Sequence, residues 1–234
     1  MLNKAPNRAS LRSASIFSCL SAEEEQQWLS RCYFRAVGAG ETVVDFEDPS
    51  KDVFLVQSGE LRAVLRFALG KEAILGAFKR GDLVGEIAAL DERSRSACLM
   101  AVTDTQMTVI PFAVFHEMLE TRHEICLALM QLLSRRIRTM NEKVSELAFL
   151  DARHRLYNTL LRLSRPRADS DVERVVSPPL VHAELAEHIG SSRETVSREM
   201  SRLSQENLVE RTSRAIVLKN PAELARRISR AFSG

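Results

Sequence analysis

The spacing of apolar residues predicts a β-rich first part of the chain. From about Thr42 to Ile110 the apolar residues cluster in short runs, among them VFLV at 53–56, ELRAVL at 60–65, EAIL at 72–75 and MTVI at 107–110. Turn-forming pairs separate the runs, namely Asp48-Pro49, Ser58-Gly59, Leu69-Gly70 and Gly81-Asp82. Short strands at this spacing are typical of an antiparallel barrel or jelly roll.

Beyond Pro111 the apolar residues recur every three or four positions, which predicts one long helix over about 113–148. Its apolar stripe consists of Ile125, Leu129, Leu133, Ile137, Met140, Val144 and Leu147. The stripe resembles a coiled-coil seam, so we expect the helix to pair with a second copy in a parallel homodimer. The alternative is packing onto the chain's own β-domain, and the two can hold at different turns.

Capping residues predict where other helices begin. Ser21-x-x-Glu24 has the reciprocal capping pattern of a short helix, and Asp151 can cap a helix over DARHRLYNTLLRLS. A hinge is therefore expected at 149–151, which divides the chain into domains 1–148 and 149–234. The polar stretch from Ser164 to Pro179 predicts a loop or hairpin before the last module.

The last module has the pattern of a helix-turn-helix. HAELAEHIG at 182–190 predicts a helix with Leu185 and Ile189 inward and Gly190 ending it. Ser191-Ser192 then begins a second helix whose inward residues are Val196, Met200 and Leu203. Its outer side carries Arg193, Glu194, Ser197 and Arg198. A strand pair is expected to follow, which makes the module a winged helix.

The outer side chains suit the reading of DNA. Arginine can donate two hydrogen bonds to guanine, and a carboxylate can accept one from cytosine, so Arg193, Glu194 and Arg198 can read a short G·C-containing element. Ser192, Thr195 and the helix N-terminal amides would hold phosphate. Taken singly, Glu194 can merely complement the helix dipole and Arg198 can belong to a solvated face. The whole run favours binding of double-stranded DNA over a winged helix used only for protein contacts.

Composition and charge agree with this division. The chain has 234 residues, 45% of them hydrophobic, which is enough to build two cores. The net charge is only +2, but residues 151–234 contain 15 Lys and Arg against 11 Asp and Glu, so the last third is the basic part. Four separated cysteines form no C-x-x-C pair and are expected to be reduced and mostly buried. Without a secretory or membrane-spanning apolar run, we expect a cytoplasmic protein and no membrane partner.

The stretch Gly190-Ser191-Ser192-Arg193-Glu194-Thr195-Val196-Ser197-Arg198 resembles the recognition-helix motif of the cyclic-AMP receptor protein family, often called CRP/FNR. Glu142-Lys143-Val144 through Leu147-Ala148-Phe149-Leu150-Asp151 is similar to the end of that family's dimer helix and hinge. The resemblance covers about residues 15–220. It implies an α+β protein with an N-terminal jelly roll of the cyclic-nucleotide-binding type, a dimerisation helix and a C-terminal winged helix-turn-helix. It also implies a transcription regulator with RNA polymerase as a partner and half-sites like TGTGA.

A second stretch, Gly81 to Leu90 followed by Arg95-Ser96-Ala97, looks like the family's phosphate-binding cassette. The predicted ligand residues in it are Gly85, Glu86, Ile87, Ala88, Arg95 and Ser96. A short helix after Gly85 would offer amides to an anion, Arg95 a bidentate charge and Ser96 a hydroxyl. Glu86 would accept a hydrogen bond from a ribose 2′-hydroxyl, so a cyclic nucleotide fits. The alternative is a buried Glu86–Arg95 ion pair that closes a loop.

The resemblance also places a base-contacting pair on the dimer helix, where this chain has Met140 and Asn141. Asn141 can bond a purine edge, whereas Met140 lacks the hydroxyl often found there. The predicted ligand is therefore cyclic AMP, with cyclic GMP as the alternative and weak discrimination between them.

Two other functional classes remain open at this point. A redox or gas sensor of the same fold would need clustered cysteines or an axial ligand. The histidines, which are His116, His123, His154, His182 and His188, form no pair at metal spacing, so no metal is predicted. In the second class, the β-domain would be the regulatory module of an enzyme or channel, and the C-terminal domain would dock another protein. The chain has no P-loop, G-x-S-x-G or H-E-x-x-H motif, so no catalytic residues and no enzyme activity are predicted.

Overall fold

The computed structural model describes residues 9–66 and 72–233, so the predicted turn at Leu69-Gly70 lies outside the described residues. The chain divides into two compact units, the first ending at Arg136 and the second beginning at Ile137. This division falls inside a helix, earlier than the predicted boundary at 148/149, which stays a prediction. Among the described residues, no helix is both long enough and apolar enough to cross a membrane.

The first unit is a β-roll with helices at both ends. Its strands are β1 (Tyr33–Val37), β2 (Thr42–Val44), β3 (Val53–Ser58), β4 (Glu60–Arg66), β5 (Glu72–Lys79), β6 (Leu83–Val84), β7 (Cys98–Ala101) and β8 (Thr105–Ile110). Its helices are α1 (Ala22–Leu29), α2 (Glu86–Asp91), α3 (Phe112–Thr121) and the first turns of α4 (His123–Phe149).

The eight strands form two antiparallel sheets, in the orders β1-β8-β3-β6 and β2-β7-β4-β5. A core lies between the sheets and includes Phe54, Val56, Leu61 and Met107. Strand β3 is buried at four successive positions, 53–56, because it contributes side chains to this core and to a second one beneath the helices. The predicted jelly roll and the α+β class are confirmed.

The predicted single helix over 113–148 is wrong in one respect, because two helices occupy this stretch. Arg122 ends α3 with an extended backbone (φ −130°, ψ 94°), and α4 begins at the next residue. The break lets α3 bury Val114, Phe115 and Met118 in the core that also contains Ile125 and Leu129 of α4. Burial of both apolar faces requires a change of direction that one straight helix does not provide.

The apolar stripe of α4 divides into two parts. Ile125 and Leu129 are buried in the first unit's own core, and Leu133 packs against it. Beyond Arg136 the stripe is open, since its side chains are between 58% and 62% exposed. These exposed residues are Ile137, Met140, Val144 and Leu147. The first turns therefore pack onto the roll, and the later turns present an uncovered apolar face.

The second unit contains the rest of α4, four further helices and four short strands. The helices are α5 (Ala152–Leu163), α6 (His182–Ile189), α7 (Arg193–Gln205) and α8 (Pro221–Ser233). The strands are β9 (Arg165–Pro166), β10 (Arg174–Val176), β11 (Val209–Arg211) and β12 (Ile216–Leu218), in the order β11-β12-β10-β9. The helices and this sheet share one core, which includes Leu156, Leu185, Val196, Leu203 and Leu224.

The predicted caps of both units are present. Ser21 and Glu24 form the reciprocal capping box of α1, and Asp151 accepts a hydrogen bond from the backbone N–H of His154 at the start of α5. The polar stretch after Ser164 contains the antiparallel β9–β10 pair, which is the predicted hairpin. The four cysteines are free thiols, but only Cys98 is buried and Cys19 is exposed, so the prediction of mostly buried thiols is wrong.

Candidate ligand and nucleic-acid sites

The predicted ligand site centres on Gly85, between β6 and α2. Gly85 has a left-handed backbone with a φ of 87°, and a Cβ added there would lie 2.9 Å from Arg95 Nη1 and 3.2 Å from the Asp52 carbonyl oxygen. Only glycine tolerates both this conformation and this proximity to neighbouring atoms. The glycine therefore allows the Arg95 guanidinium to lie directly against the turn that begins α2.

Arg95 is 4% exposed, and its guanidinium is held by the protein itself. Nη1 donates to the Gly85 carbonyl at 3.0 Å, and Nη2 donates to the Asp52 carbonyl at 2.7 Å. Nε and Nη2 both approach the Ser50 hydroxyl, at 3.3 and 3.2 Å. Burial lowers the pKa of Arg95, while Asp48, Asp52 and Glu86 oppose that effect.

These contacts change the role expected for Arg95. A guanidinium has five N–H donors, and the four hydrogen bonds to Gly85, Asp52 and Ser50 leave one donor, on Nη1. The sequence predicted that Arg95 donates two hydrogen bonds to a phosphate. In the structure, both N–H groups on the Nε–Nη2 edge of the guanidinium face Ser50 instead. Arg95 can offer an anion one N–H and its charge, and it also ties the Gly85 turn to the strand that begins at Val53.

Glu86 is 1% exposed, and its carboxylate forms an ion pair with Arg136 of α4. Arg136 also donates to the Leu83 carbonyl at 2.5 Å, and its guanidinium lies 5.2 Å from the centre of the Phe78 ring. The alternative of a Glu86–Arg95 pair is therefore replaced by Glu86–Arg136. Sequence reasoning missed Arg136, although a basic residue one helical turn before Met140 was the available signal.

The other predicted ligand residues differ in accessibility. Ala88 is buried, whereas Ile87 and Ser96 are exposed and can meet a ligand from solvent. Met140 and Asn141 are exposed on the part of α4 that belongs to the second unit.

A cavity of about 520 Å³ lies beside the residues that hold Arg95. Ser50, Asp52 and Phe54 line it, together with Tyr33 and Arg35. The Tyr33 hydroxyl donates to the Asp52 carboxylate at 2.5 Å, and burial followed by this contact raises the pKa of Tyr33 to about 12. None of the predicted ligand residues is among the described residues that line this cavity.

The predicted recognition helix is α7, and its two faces differ as expected. Val196, Met200 and Leu203 are buried in the second unit's core. On the other face Arg193, Glu194 and Arg198 are exposed, with Ser197 half-buried beside them. Gly190 ends α6 in the left-handed conformation, with a φ of 60°. The sequence therefore predicted the helix, the turn and the outward face correctly.

Hydrogen bonds at the start of α7 define the chemistry of that face. The Ser192 hydroxyl caps the helix by accepting from the Thr195 backbone N–H at 3.2 Å, and the two hydroxyls are 3.1 Å apart. Hydrogen bonds from the Glu194 backbone N–H and from Ser192 lower the pKa of the Glu194 carboxyl. The nearby charges of Arg193 and Arg198 lower it further. Glu194 is thus ionised at neutral pH and can only accept hydrogen bonds.

Sequence reasoning missed a polar cluster beneath the recognition helix. Glu199 of α7 is buried and accepts hydrogen bonds from the Tyr157 hydroxyl of α5 and from Arg202. Arg227 of α8 pairs with Glu206 and Glu223 close by. The cluster connects α7 to α5, so the recognition helix is fixed by polar contacts as well as by its apolar face. A glutamate within the Val196–Met200–Leu203 face was the signal for it.

Comparison with known proteins identifies both modules. Residues 34–122 match the cyclic nucleotide-binding domain family, and residues 154–227 match the Crp-like helix-turn-helix domain family. The cAMP-activated global transcriptional regulator of Salmonella typhimurium is 27% identical over 194 residues, which cover 82% of this chain and 92% of that protein. The cyclic AMP receptor protein of Thermus thermophilus is 31% identical over 199 residues, covering 85% and 89%.

A solved structure agrees at the level of the fold. The global regulator of Xanthomonas campestris that is described as responsive to c-di-GMP has a TM-score of 0.73 and 25% identity to this chain. The match covers 85% of this chain and 99% of that one. Proteins similar to this chain therefore include regulators described as responding to different nucleotides.

Proposed function

The chain belongs to the CRP/FNR family of DNA-binding transcription regulators, which are not enzymes, and from this premise we propose that it is a homodimer controlled by cyclic AMP. The observation that carries the DNA-reading role is the division of α7 into a buried apolar face and an exposed face with Arg193, Glu194 and Arg198. Such a helix can enter the major groove while its other side stays in the core. RNA polymerase and the cytoplasm are the partner and location proposed with it.

In this proposal the exposed side chains of α7 read base edges. Arg193 and Arg198 donate to guanine, and the ionised Glu194 accepts from cytosine N4. Ser197 lies beside them on the same outer side. Thr195, Ser192 and the helix N-terminal amides contact phosphate, which carries no sequence information. The expected site is an inverted repeat with TGTGA-like half-sites, whose centres are about 34 Å apart because two recognition helices enter successive major grooves.

The homodimer is supported by the uncovered stripe of α4. Four apolar side chains in succession, from Ile137 to Leu147, are more than half exposed. A second copy of the same stripe would bury them in a two-fold interface, as in a parallel coiled coil.

Cyclic AMP is the proposed ligand of the Gly85 turn. Ser96, the remaining Arg95 donor and the α2 amides would hold the cyclic phosphate, and Glu86 would accept from the ribose 2′-hydroxyl. Ile87 and Ala88 complete the turn around the sugar, and Asn141 with Met140 would meet the purine. Cyclic GMP is the second candidate, because Met140 provides no hydroxyl with which to discriminate between the two bases.

A selection from randomised duplexes tests the DNA-reading role. Wild type should enrich an inverted repeat, and Arg193→Ala should lose preference at one base of each half-site, at a cost of about 1–3 kcal/mol. Thr195→Ala should weaken binding to all sequences alike. If wild type and Arg193→Ala enrich the same motif with equal information at every position, Arg193 does not read bases.

Calorimetric titration tests the ligand. Cyclic AMP should bind with a stoichiometry of one per chain, and cyclic GMP should bind with similar affinity. Cyclic di-GMP is the informative third titrant, because the similar Xanthomonas regulator is described as responding to it. Binding of cyclic di-GMP alone would reject the proposed ligand while leaving the DNA-binding role intact.

A further inference from the structure

A network of polar contacts joins α5 to the recognition helix α7. The Tyr157 hydroxyl of α5 donates to the Glu199 carboxylate of α7, and both side chains are buried. Arg202, about one turn further along α7, donates to the same carboxylate at 2.7 Å and to the Tyr157 hydroxyl oxygen. Burial raises the pKa of Tyr157, and the contact with Glu199 raises it further, so the hydroxyl keeps the proton that it donates. The three groups therefore satisfy one another.

The network continues to α8. Arg202 Nη1 lies 3.7 Å from one carboxylate oxygen of Glu206, the C-cap residue of α7. The other oxygen of Glu206 pairs with Arg227 of α8 at 2.7 Å, and Arg227 pairs with Glu223 at 3.0 Å. The recognition helix is therefore held from α5 at its middle and from α8 at its end.

These contacts constrain α7 in a way that its apolar face does not. Val196, Met200 and Leu203 bury the helix in the core, but the hydrophobic effect has no preferred direction. A charge-assisted hydrogen bond instead requires its donor and acceptor in one geometry. Because Tyr157 and Glu199 lie on different helices, the bond between them fixes the rotation of α7 relative to α5.

A small rotation of α7 would change its contacts with DNA. Arg198 directly precedes Glu199, and Arg193 and Glu194 lie on the first turn of the same helix. Their side chains project away from the helix axis, so a rotation displaces their end groups by more than it displaces the backbone. A hydrogen bond to a base edge requires a separation of about 2.7–3.2 Å and near-linear geometry. The bases that α7 can read therefore depend on the groups that fix its rotation.

Stability gives little reason for a carboxylate at this place. Glu199 lies within the apolar face of α7, and the desolvation of a buried ion pair costs free energy that the attraction often fails to recover. Arg202 avoids much of this cost because its side chain is 41% exposed, whereas the Glu199 side chain is only 7% exposed. Apolar side chains of similar size would stabilise the module equally well. The network is therefore better explained by the geometry that it imposes.

We propose that this polar network positions the recognition helix for reading bases, so that side chains behind the helix, as well as those facing DNA, determine which sequence is bound. Its positioning residues are Tyr157, Glu199, Arg202 and Arg227. The inference rests on the proposed DNA-reading role of α7 and extends it to residues that act through the helix.

The test replaces the buried hydrogen bond with an apolar pair of similar size, Tyr157→Phe together with Glu199→Met. The full-length variant is titrated with the duplex that wild type selects and with a mixed-sequence duplex. The ratio of the two affinities should fall by about tenfold per half-site, the effect of losing one base contact. The free energy of unfolding in urea should stay the same or rise, since Arg202 can turn its guanidinium to water. A purely structural role predicts the opposite, which is a loss of stability with an unchanged ratio.

Single variants provide the rescue and the controls. Glu199→Gln keeps a hydrogen-bond acceptor at the same place and should retain most of the ratio. Arg227→Gln removes the contact between α7 and α8 and should lower the ratio by a smaller factor than the double variant does. Two controls remove a charge outside the network, namely Glu173→Gln, whose partner is Arg167 in the β9–β10 hairpin, and Arg230→Gln, exposed on α8. Both should keep the wild-type ratio.

An unchanged ratio in the folded double variant overturns the proposal. If that variant does not fold, Arg227→Gln decides in its place, because the Arg227 side chain lies at the edge of the core and is 26% exposed. An unchanged ratio there overturns the proposal equally. A wild type that binds both duplexes with the same affinity would instead overturn the proposed base-reading role of α7 itself.

Discussion

At the scale of single residues, Arg95 and Ser96 are adjacent in sequence but should fail in different ways when replaced. Arg95→Ala leaves the half-buried carbonyls of Gly85 and Asp52 without the Arg95 donor. Each lost donor costs about 1–3 kcal/mol, so both the free energy of unfolding and nucleotide affinity should fall. Ser96 is exposed, so Ser96→Ala should lower nucleotide affinity alone.

Urea unfolding and calorimetry on the same samples separate the two effects. If Ser96→Ala lowers stability as much as Arg95→Ala does, the structural role assigned to Arg95 is wrong. If neither variant alters nucleotide binding, the ligand site lies elsewhere.

Asp151 provides a prediction about pH. Burial alone would raise the pKa of Asp151, but bonds from the His154 backbone N–H and from Arg153 outweigh it and lower the pKa from 3.8 to about 2. Because the pKa in the folded state is depressed, the stabilisation is present above about pH 4 and is lost as the pH falls towards 2.

Asp151→Ala should therefore cost about 1 kcal/mol at neutral pH, as for other N-caps, and progressively less below pH 4. Urea unfolding monitored by circular dichroism at several pH values measures this. Asp169→Ala, an exposed carboxylate in the β9–β10 hairpin, is the control and should change little. A cost for Asp151→Ala that stays constant down to pH 3 would contradict the assignment.

Single residues were predictable from sequence where their partners are close in the chain. The Ser21–Glu24 box, the Asp151 cap and Gly190 involve neighbours within four residues, and all three were predicted correctly. The partners of Arg95 lie 43 and 45 residues away at Asp52 and Ser50, and Glu86 pairs with Arg136 50 residues away. Only the folded roll brings these groups together, so the sequence indicated the site but not its hydrogen bonds.

At the scale of elements, α4 yields a prediction because its apolar stripe is buried at one end and open at the other. Ile137→Lys places a charge in the exposed part and should split the dimer with little loss of monomer stability. Ile125→Lys buries the same charge in the first unit's core and should unfold that unit.

Sedimentation and circular dichroism distinguish these outcomes. Thr139→Lys, on another face of the same helix, should leave the dimer intact. A wild type that sediments as a monomer at micromolar concentration, or a dimer that Ile137→Lys leaves unchanged, would show that the open stripe is not the dimer contact.

The break between α3 and α4 at Arg122 shows a feature that the periodicity of apolar residues does not predict. Apolar residues at steps of three and four predicted helix throughout this stretch, and helix is what forms on both sides of the break. The pattern carries no information about direction, however, because α3 and α4 bury different faces in one core. The position of the break depends on the shape of the roll, which lies earlier in the sequence.

At the scale of the whole molecule, the arrangement of strands could not be read from the sequence beyond its class. The runs and turns predicted an antiparallel roll, but β1 pairs with β8 and β2 with β7, so both pairings join distant strands. In the second unit the elements that pack together are closer in sequence. Its helix, turn, helix and strand pair were therefore predicted in order. Local patterns thus sufficed for the recognition helix and not for the ligand site.

The final prediction concerns the coupling of nucleotide to DNA. Glu86, which is proposed to accept the ribose hydroxyl, already pairs with Arg136, and Arg136 belongs to a helix that continues to Phe149. A nucleotide bound at Glu86 would therefore change the surroundings of the Arg136 charge on α4. The difference between its affinities for two states of that helix would set the size of its effect on DNA binding. Cyclic AMP should raise DNA affinity by about 5–150-fold, and DNA should raise cyclic AMP affinity by the same factor.

Arg136→Gln is the variant that tests this route, measured by titrating each ligand in the absence and presence of the other. It should still bind DNA, and it should bind cyclic AMP, but the two affinities should become nearly independent. The control is Arg138→Gln, which removes a neighbouring exposed charge of the same helix and should keep the coupling. Because linkage is reciprocal, a nucleotide effect on DNA affinity without the matching effect of DNA on nucleotide affinity would indicate an error in the measurement. Equal DNA affinity with and without nucleotide in the wild type would instead mean a regulator that binds DNA constitutively, whose ligand site does not control its recognition helix.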